Sequence, residues 1–173
     1  MKKGLFFVVG GIVLLVAIFL LSYYSFLYFN NRKPTVSVNT LEIELNDSGK
    51  INLEEQQPLS DDQLDTVKPY KFKIKNRGKS ISQYQLLIED FVTDKSTKLL
   101  SRKYLNYQLN SNGTVIKTGN LAEIKNNILD KNVLKANQEK SYELKIWVTG
   151  DIESTEWMGK TYNYTISVNP ITD

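Results

Sequence analysis

The feature that most constrains this 173-residue chain lies at its start. From Leu5 to Leu21 every residue is apolar or glycine, and no charged side chain follows until Arg32. After Ser22 the stretch continues through Tyr23, Tyr24, Phe26, Leu27, Tyr28 and Phe29. A segment this long and apolar on all faces reads as a transmembrane helix, because lipid offers its backbone no outside partner and no place for a charge. If residues 5–29 are helical throughout, they extend about 37 Å at about 1.5 Å per residue, against a hydrocarbon layer of about 30 Å. The surplus fits a modest tilt, with the tyrosines at the far interface. A cleaved signal peptide is the alternative, and Lys2 and Lys3 would suit its basic start. The window from Leu20 to Ser25 holds no small-x-small pair, however, and there is no cysteine for lipoprotein processing.

The expected organisation is a cytoplasmic tail (1–4), a transmembrane anchor in the lipid bilayer (5–29), a short linker (30–34) and an extracytoplasmic domain (35–170). The chain would thus be a single-pass protein of the cell membrane with its amino terminus in the cytoplasm. Lys2 and Lys3 precede the helix and Arg32 and Lys33 follow it, so charge alone orients it weakly. The short tail before the helix and the long domain after it favour export of the domain.

The rest of the chain is nearly neutral. The whole carries 22 basic and 19 acidic residues, and setting aside Lys2, Lys3, Arg32 and Lys33 leaves 18 against 19. A nucleic-acid partner is not expected from such a balance. Histidine and cysteine are both absent. That removes disulfides, ordinary zinc sites, haem ligation by either residue, and Ser-His-Asp or Cys-His catalysis. No cofactor and no enzymatic activity are expected.

Beyond Pro34 the dominant period is two. Residues 35–45 (TVSVNTLEIEL) alternate with a phase change near Asn39–Thr40, which suggests one kinked strand or two short ones. Asn46-Asp47-Ser48-Gly49 reads as a turn, and Ile51 and Leu53 open another strand. Ser60 with Gln63 suits a capped helical turn that tucks Leu59 and Leu64 down. Tyr70, Phe72 and Ile74 alternate with lysines after Pro69, and residues 81–92 form the next strand with Ile81, Tyr84, Leu86 and Ile88 inward. Residues 104–109 and 114–118 flank an Asn- and Gly-containing turn, a hairpin signal. Leu121, Ile124, Ile128 and Leu129 fall at helical spacing, so residues 120–130 are expected to form one short amphipathic helix. Two further strands, SYELKIWV and KTYNYTISV, close the domain around a loop at 150–159. Seven or eight short strands and one helix point to an all-β fold. It is expected to be an antiparallel Ig-like β-sandwich with one short crossing helix, preceded by a single N-terminal transmembrane helix.

Three groups of side chains are candidate sites. Asp61, Asp62 and Asp65 could offer oxygen ligands to calcium, although no EF-hand-type loop is present and solvated loop charge is the simpler reading. Trp147, on the polar phase of its strand, and Trp157, in a loop, are candidates for a sugar- or protein-binding patch; the alternative is that they cover the second sheet face and plug the sandwich end. Lys71, Lys73 and Lys75 form a basic stripe suited to anionic lipid or wall polymer, or else to protecting an edge strand. Paired carboxylates such as Glu89-Asp90 leave a glycosidase as the rival class.

The strand YKFKIKN, the turn at Gly78, the strand QYQLLIE, the strand YELKIWV and the closing GKTYNYTISV resemble the exported Ig-like domains of Firmicutes, nearest the TasA/camelysin-type surface and biofilm-fibre proteins. The likeness covers residues 69–92 and 141–168. It implies an exported sandwich that self-associates; those proteins carry a cleavable signal, and this chain has no histidine for the metallopeptidase chemistry attributed to camelysin. The function expected is a membrane-anchored extracytoplasmic binding or assembly module at the cell surface. Its partner would be a protein, a cell-wall polymer or its own copies, with residues 35–45 as the segment that pairs with a neighbouring sheet. An accessory subunit that works through its helix is the alternative.

Overall fold

The computed structural model describes residues 2–30, 35–38, 41–45, 50–54, 57–91, 98–150 and 152–171. The chain divides into two compact units, Met1–Lys33 and Pro34–Asp173. The first is a single helix, α1 (Lys2–Asn30), of 29 residues. Side chains are described on it from Leu14 to Tyr28, and eleven large apolar or aromatic ones among them are exposed. Among the described residues no helix is long and apolar enough to cross a membrane.

The second unit is built almost wholly of antiparallel strands. One sheet has the order β1 (Thr35–Val38), β2 (Leu41–Leu45), β5 (Tyr70–Asn76), β10 (Glu139–Thr149), β7 (Leu105–Ser111) and β8 (Thr114–Asn120). Past Leu144, which pairs with the first residue of β5, the two-residue β4 (Pro58–Leu59) pairs in parallel with the last part of β10. The other sheet has the order β3 (Lys50–Glu54), β11 (Thr161–Pro170), β6 (Ser82–Asp90) and β9 (Ile128–Leu134). Only β1–β2 and β7–β8 are hairpins of sequence neighbours; the other long strands send the chain across to the opposite sheet. The two sheets share one apolar core, because the period-two phase of each contributes to it. Phe72, Ile74, Leu109, Leu144 and Ile146 come from the first sheet, and Leu86, Ile88, Tyr164 and Ile166 from the second.

Turn chemistry sets the register. The β7–β8 hairpin closes on Asn112 (φ 48°) and Gly113 (φ 82°), a two-residue loop in the left-handed region that these residues tolerate best. Asn76, fully buried at the end of β5, holds three strands' ends together. Its Nδ2 donates to the carbonyls of Ser80 (2.8 Å), Leu134 (3.0 Å) and Lys135 (3.2 Å), and its Oδ1 accepts from the Gly78 N–H at 2.9 Å.

Several expectations need correction. Residues 120–130 do not form an amphipathic crossing helix. Two separate 3₁₀ turns, Leu121–Glu123 and Lys125–Asn127, lead into β9. Asn126 and Asn127 have φ of 54° and 60°, which ends any right-handed helix there, and Ile128 and Leu129 then join the β6 ladder. The helical spacing arose where a turn meets the start of a strand: Leu121 and Leu129 are buried in the core and Ile124 packs against it, whereas Ile128 is half-buried and lines the surface between β8 and β9. Ile81 is 64% exposed instead of inward, since β6 begins only at Ser82. Among the described residues there are eleven strands where seven or eight were expected, the extra ones being short. Residues 35–45 form two strands that pair with each other, and β2 is interior, so only β1 of that segment lies at a sheet edge. The phase change at Asn39–Thr40 and the turn at 46–49 fall outside the described residues. Ser60 does start a 3₁₀ turn, Asp61–Thr66, with its N–H donating to Gln63 Oε1 at 3.2 Å.

Replacing Asn76 by alanine leaves buried carbonyls and an N–H without their partner. The expected cost is about 3 kcal/mol, read as a lower urea midpoint with an unchanged slope.

Candidate functional site

The residues singled out in the sequence do not converge. Lys71, Lys73 and Lys75 stand on the outer face of β5, which is a central strand, so they protect no edge. They form the middle of a charge ladder. Glu42 and Glu44 on β2 lie opposite Lys75 and Lys73, and Glu139 and Glu143 on β10 lie opposite Lys75 and Lys71. Lys71 meets Glu143 at 2.9 Å, Lys73 meets Glu139 at 3.0 Å, and Arg77 pairs with Glu42. The hydrogen bond from Lys73, reinforced by its charge, holds the Glu139 carboxyl below the usual carboxylate range. The stripe is therefore answered by acids on both sides.

Trp147 is only 5% exposed. It shares the outer face of β10 with Lys145, whose ammonium donates to the Leu64 carbonyl at 2.9 Å and thereby brings the Asp61–Thr66 turn over this end of the sheet. Trp157 ends the single helical turn α2 (Ser154–Trp157) and is half-buried against the core. Asp62 accepts from the Ser60 hydroxyl, and Asp65 lies 4.0 Å from Lys145. Among the described residues no group of three acids is gathered as a metal would need.

What the fold does assemble is an open polar groove of about 700 Å³ between the edge strands β8 and β9. Its floor is Tyr107 on β7, which lies opposite Gly119 of β8. Gly119 has φ 157°, and a Cβ there would stand 3.7 Å from the Tyr107 ring and 3.8 Å from Glu123 Oε2. Lys117 reaches across from β8 and donates to the Leu129 carbonyl of β9 at 3.2 Å. Lys125 and Lys131 line the groove as well, with Glu123 and Asp130 as the acids.

Two side-chain networks hold its walls, one buried between the sheets and one nearer the surface. Tyr142 of β10 donates to Asp130 Oδ2 at 2.8 Å, and its oxygen lies 2.7 Å from the Tyr84 hydroxyl, so Tyr84 is the donor in that pair. This relay ties the two sheets together beneath Asp130. Arg102 grips both oxygens of Asp90 at 2.8 and 2.9 Å and donates to Asn127 Oδ1 at 2.9 Å. Tyr162 adds a 2.6 Å bond to the same carboxylate. Arg102 thereby holds the left-handed Asn127 beside the groove wall. Asp90, read from the sequence as one of a carboxylate pair with Glu89, anchors Arg102 and Tyr162. The Asn126-Asn127 pair was the signal available for the wall, and it was masked by the helical spacing around it.

Chemically the groove presents ammonium, carboxylate and amide groups together, which suits a polar partner carrying both hydrogen-bond donors and charge. Comparison of the chain with protein-family models, curated proteins and solved structures finds no match.

The tyrosine relay predicts a response to base. Burial pushes the Tyr84 hydroxyl up to about 12, opposed in part by its bond to Tyr142. Burial raises Tyr142 and Tyr162 as well. In the unfolded chain tyrosine titrates near 10. Below pH 10 both states keep these protons and the contribution is complete. Above it the unfolded chain loses them first, so stability falls by up to about 1.4 kcal/mol per pH unit for each such tyrosine. Urea midpoints should drop between pH 10 and 12, with the tyrosinate absorbance of Tyr84, Tyr142 and Tyr162, read by difference against their phenylalanine variants, rising only as the fold is lost. Titration of any of these three near pH 10 in an intact fold would contradict the buried network.

Proposed function

We propose that the chain is a membrane-anchored extracytoplasmic protein in which α1 spans the bilayer and an Ig-like β-sandwich head acts as a binding or assembly module at the cell surface. The observation that carries the reading is α1 itself. It is one continuous helix of 29 residues, uncharged after Lys3, with its described apolar side chains exposed. At about 1.5 Å per residue its length is about 44 Å, enough for a hydrocarbon layer of about 30 Å. The helix keeps its bulky apolar side chains turned outward, as lipid requires and water penalises.

The head recognises its partner through the β8–β9 groove, where groups of both charge signs line one open cleft. A wall polymer or a polar protein surface fits that chemistry. The resemblance to TasA/camelysin-type proteins supports an exported, sheet-built head. Anionic polymer binding through the lysines of β5 is disfavoured, because Glu42, Glu44, Glu139 and Glu143 flank them.

Washing membranes with alkaline carbonate should leave the protein in the pellet, and protease added to cells stripped of their wall should digest the head. Each lysine introduced mid-helix, as in Val16→Lys with Phe19→Lys, opposes insertion by about 3 kcal/mol, so the doubly substituted chain should leave the pellet. Wild-type protein released by carbonate, or a head shielded from protease, overturns the reading.

A further inference from the structure

The β8 strand has an unused edge. Among the described residues it pairs with β7 on one side and with no strand on the other. Its first five residues, Thr114 to Thr118, are all exposed, Val115 to 51% and Ile116 to 43%. An edge rich in β-branched side chains is a template for another strand unless charge or proline blunts it. β8 has no proline, and its one charged residue is Lys117. That ammonium is engaged within the molecule, donating to the Leu129 carbonyl of the other sheet at 3.2 Å. The other edges differ: β9 carries Asp130 and Lys131, β3 begins with Lys50, and β1 is only four residues long.

The middle of the exposed run is set apart again by its pairing. Asn110 lies opposite Val115 and Leu109 opposite Lys117, so Ile116 is the extra residue of a bulge and has no partner on β7. A bulge sharpens the local twist, which confines any further pairing to a short stretch.

We propose that β8 is a dimerisation strand, pairing antiparallel with β8 of a second copy about a two-fold axis at Ile116. Charge selects a second copy as the occupant. With the axis at Ile116, each Val115 lies beside the stem of the partner's Lys117, so the two ammoniums are not opposed. Beside the edge, the groove is lined by Glu123 and Asp130 and by Lys125 and Lys131, two of each sign once Lys117 is engaged. A surface balanced in this way complements its own copy, whereas a polymer of one sign meets like charge on half of those residues. Pairing uses the free edge of both copies at once, so the assembly closes at two. The proposal rests on the assembly reading of the head and not on the anchor.

The absence of cysteine from the chain makes the test direct. Single substitutions Thr114→Cys, Ile116→Cys and Thr118→Cys are made in the full chain, with Asn52→Cys on β3 and Val133→Cys on β9 as controls. Membranes holding each variant are oxidised with copper phenanthroline, and disulfide-linked dimer is read on a non-reducing gel. Residues directly opposite in an antiparallel pair have Cα atoms about 4.5 to 5.5 Å apart, within disulfide reach. Ile116→Cys should therefore link several times more than either control. At Thr114 or Thr118 the two cysteines stand about 13 Å apart along the strands and should not link. Equal yields at every position report random collision and overturn the proposal. A link absent at Ile116→Cys but strong at Val133→Cys or Asn52→Cys overturns this strand and leaves an assembling head. Dimer from none of them overturns self-association as well. Adding Val115→Lys to Ile116→Cys sets charge on an exposed position of both strands. The link should then be lost while circular dichroism shows the same fold, and a link that survives overturns the proposal.

Discussion

Burial of one face of every long strand against the opposite sheet is the constraint on which the rest of this head depends. There is no disulfide and no cysteine to make one, so the shared core carries the fold. The apolar phases of β5, β10 and β7 can be hidden only under β11, β6 and β9, and the reverse holds equally. Two sets of polar groups admitted to that interior are tied down: Tyr84, Tyr142 and Asp130 form one relay, and Asn76 satisfies three carbonyls. Leaving any of these unpaired there would be costly.

How much of this was legible depended on range. Period-two runs marked β5, β6, β10 and β11, and Asn112-Gly113 marked its hairpin, because alternation and turn chemistry are local. The stretch 120–130 misled because Leu121, Ile124, Ile128 and Leu129, drawn from a turn and a strand start, happen to have the spacing of a helix face. The two left-handed asparagines that decide the matter are single residues within that pattern. The lysines of β5 read as a basic stripe only while their neighbours were unknown. Register with β2 and β10 supplies the acids, and register is not written in any one segment. Trp147 likewise looked exposed from its phase, whereas a turn 80 residues earlier reaches over its face.

The β8–β9 groove was illegible although its strands follow one another in the chain, because they are the edges of two different sheets and only the fold brings those edges side by side. Its walls come from edge positions rich in lysine, glutamate and asparagine.

The position of the last two strands has a further consequence. β10 lies between β5 and β7, and β11 lies between β3 and β6, so the final quarter of the chain occupies the middle of both sheets. Neither layer can close until that portion is present, however long the earlier strands have waited. A polypeptide wired in this way stays pliable while it is being synthesised or threaded through a channel, and consolidates late, all at once.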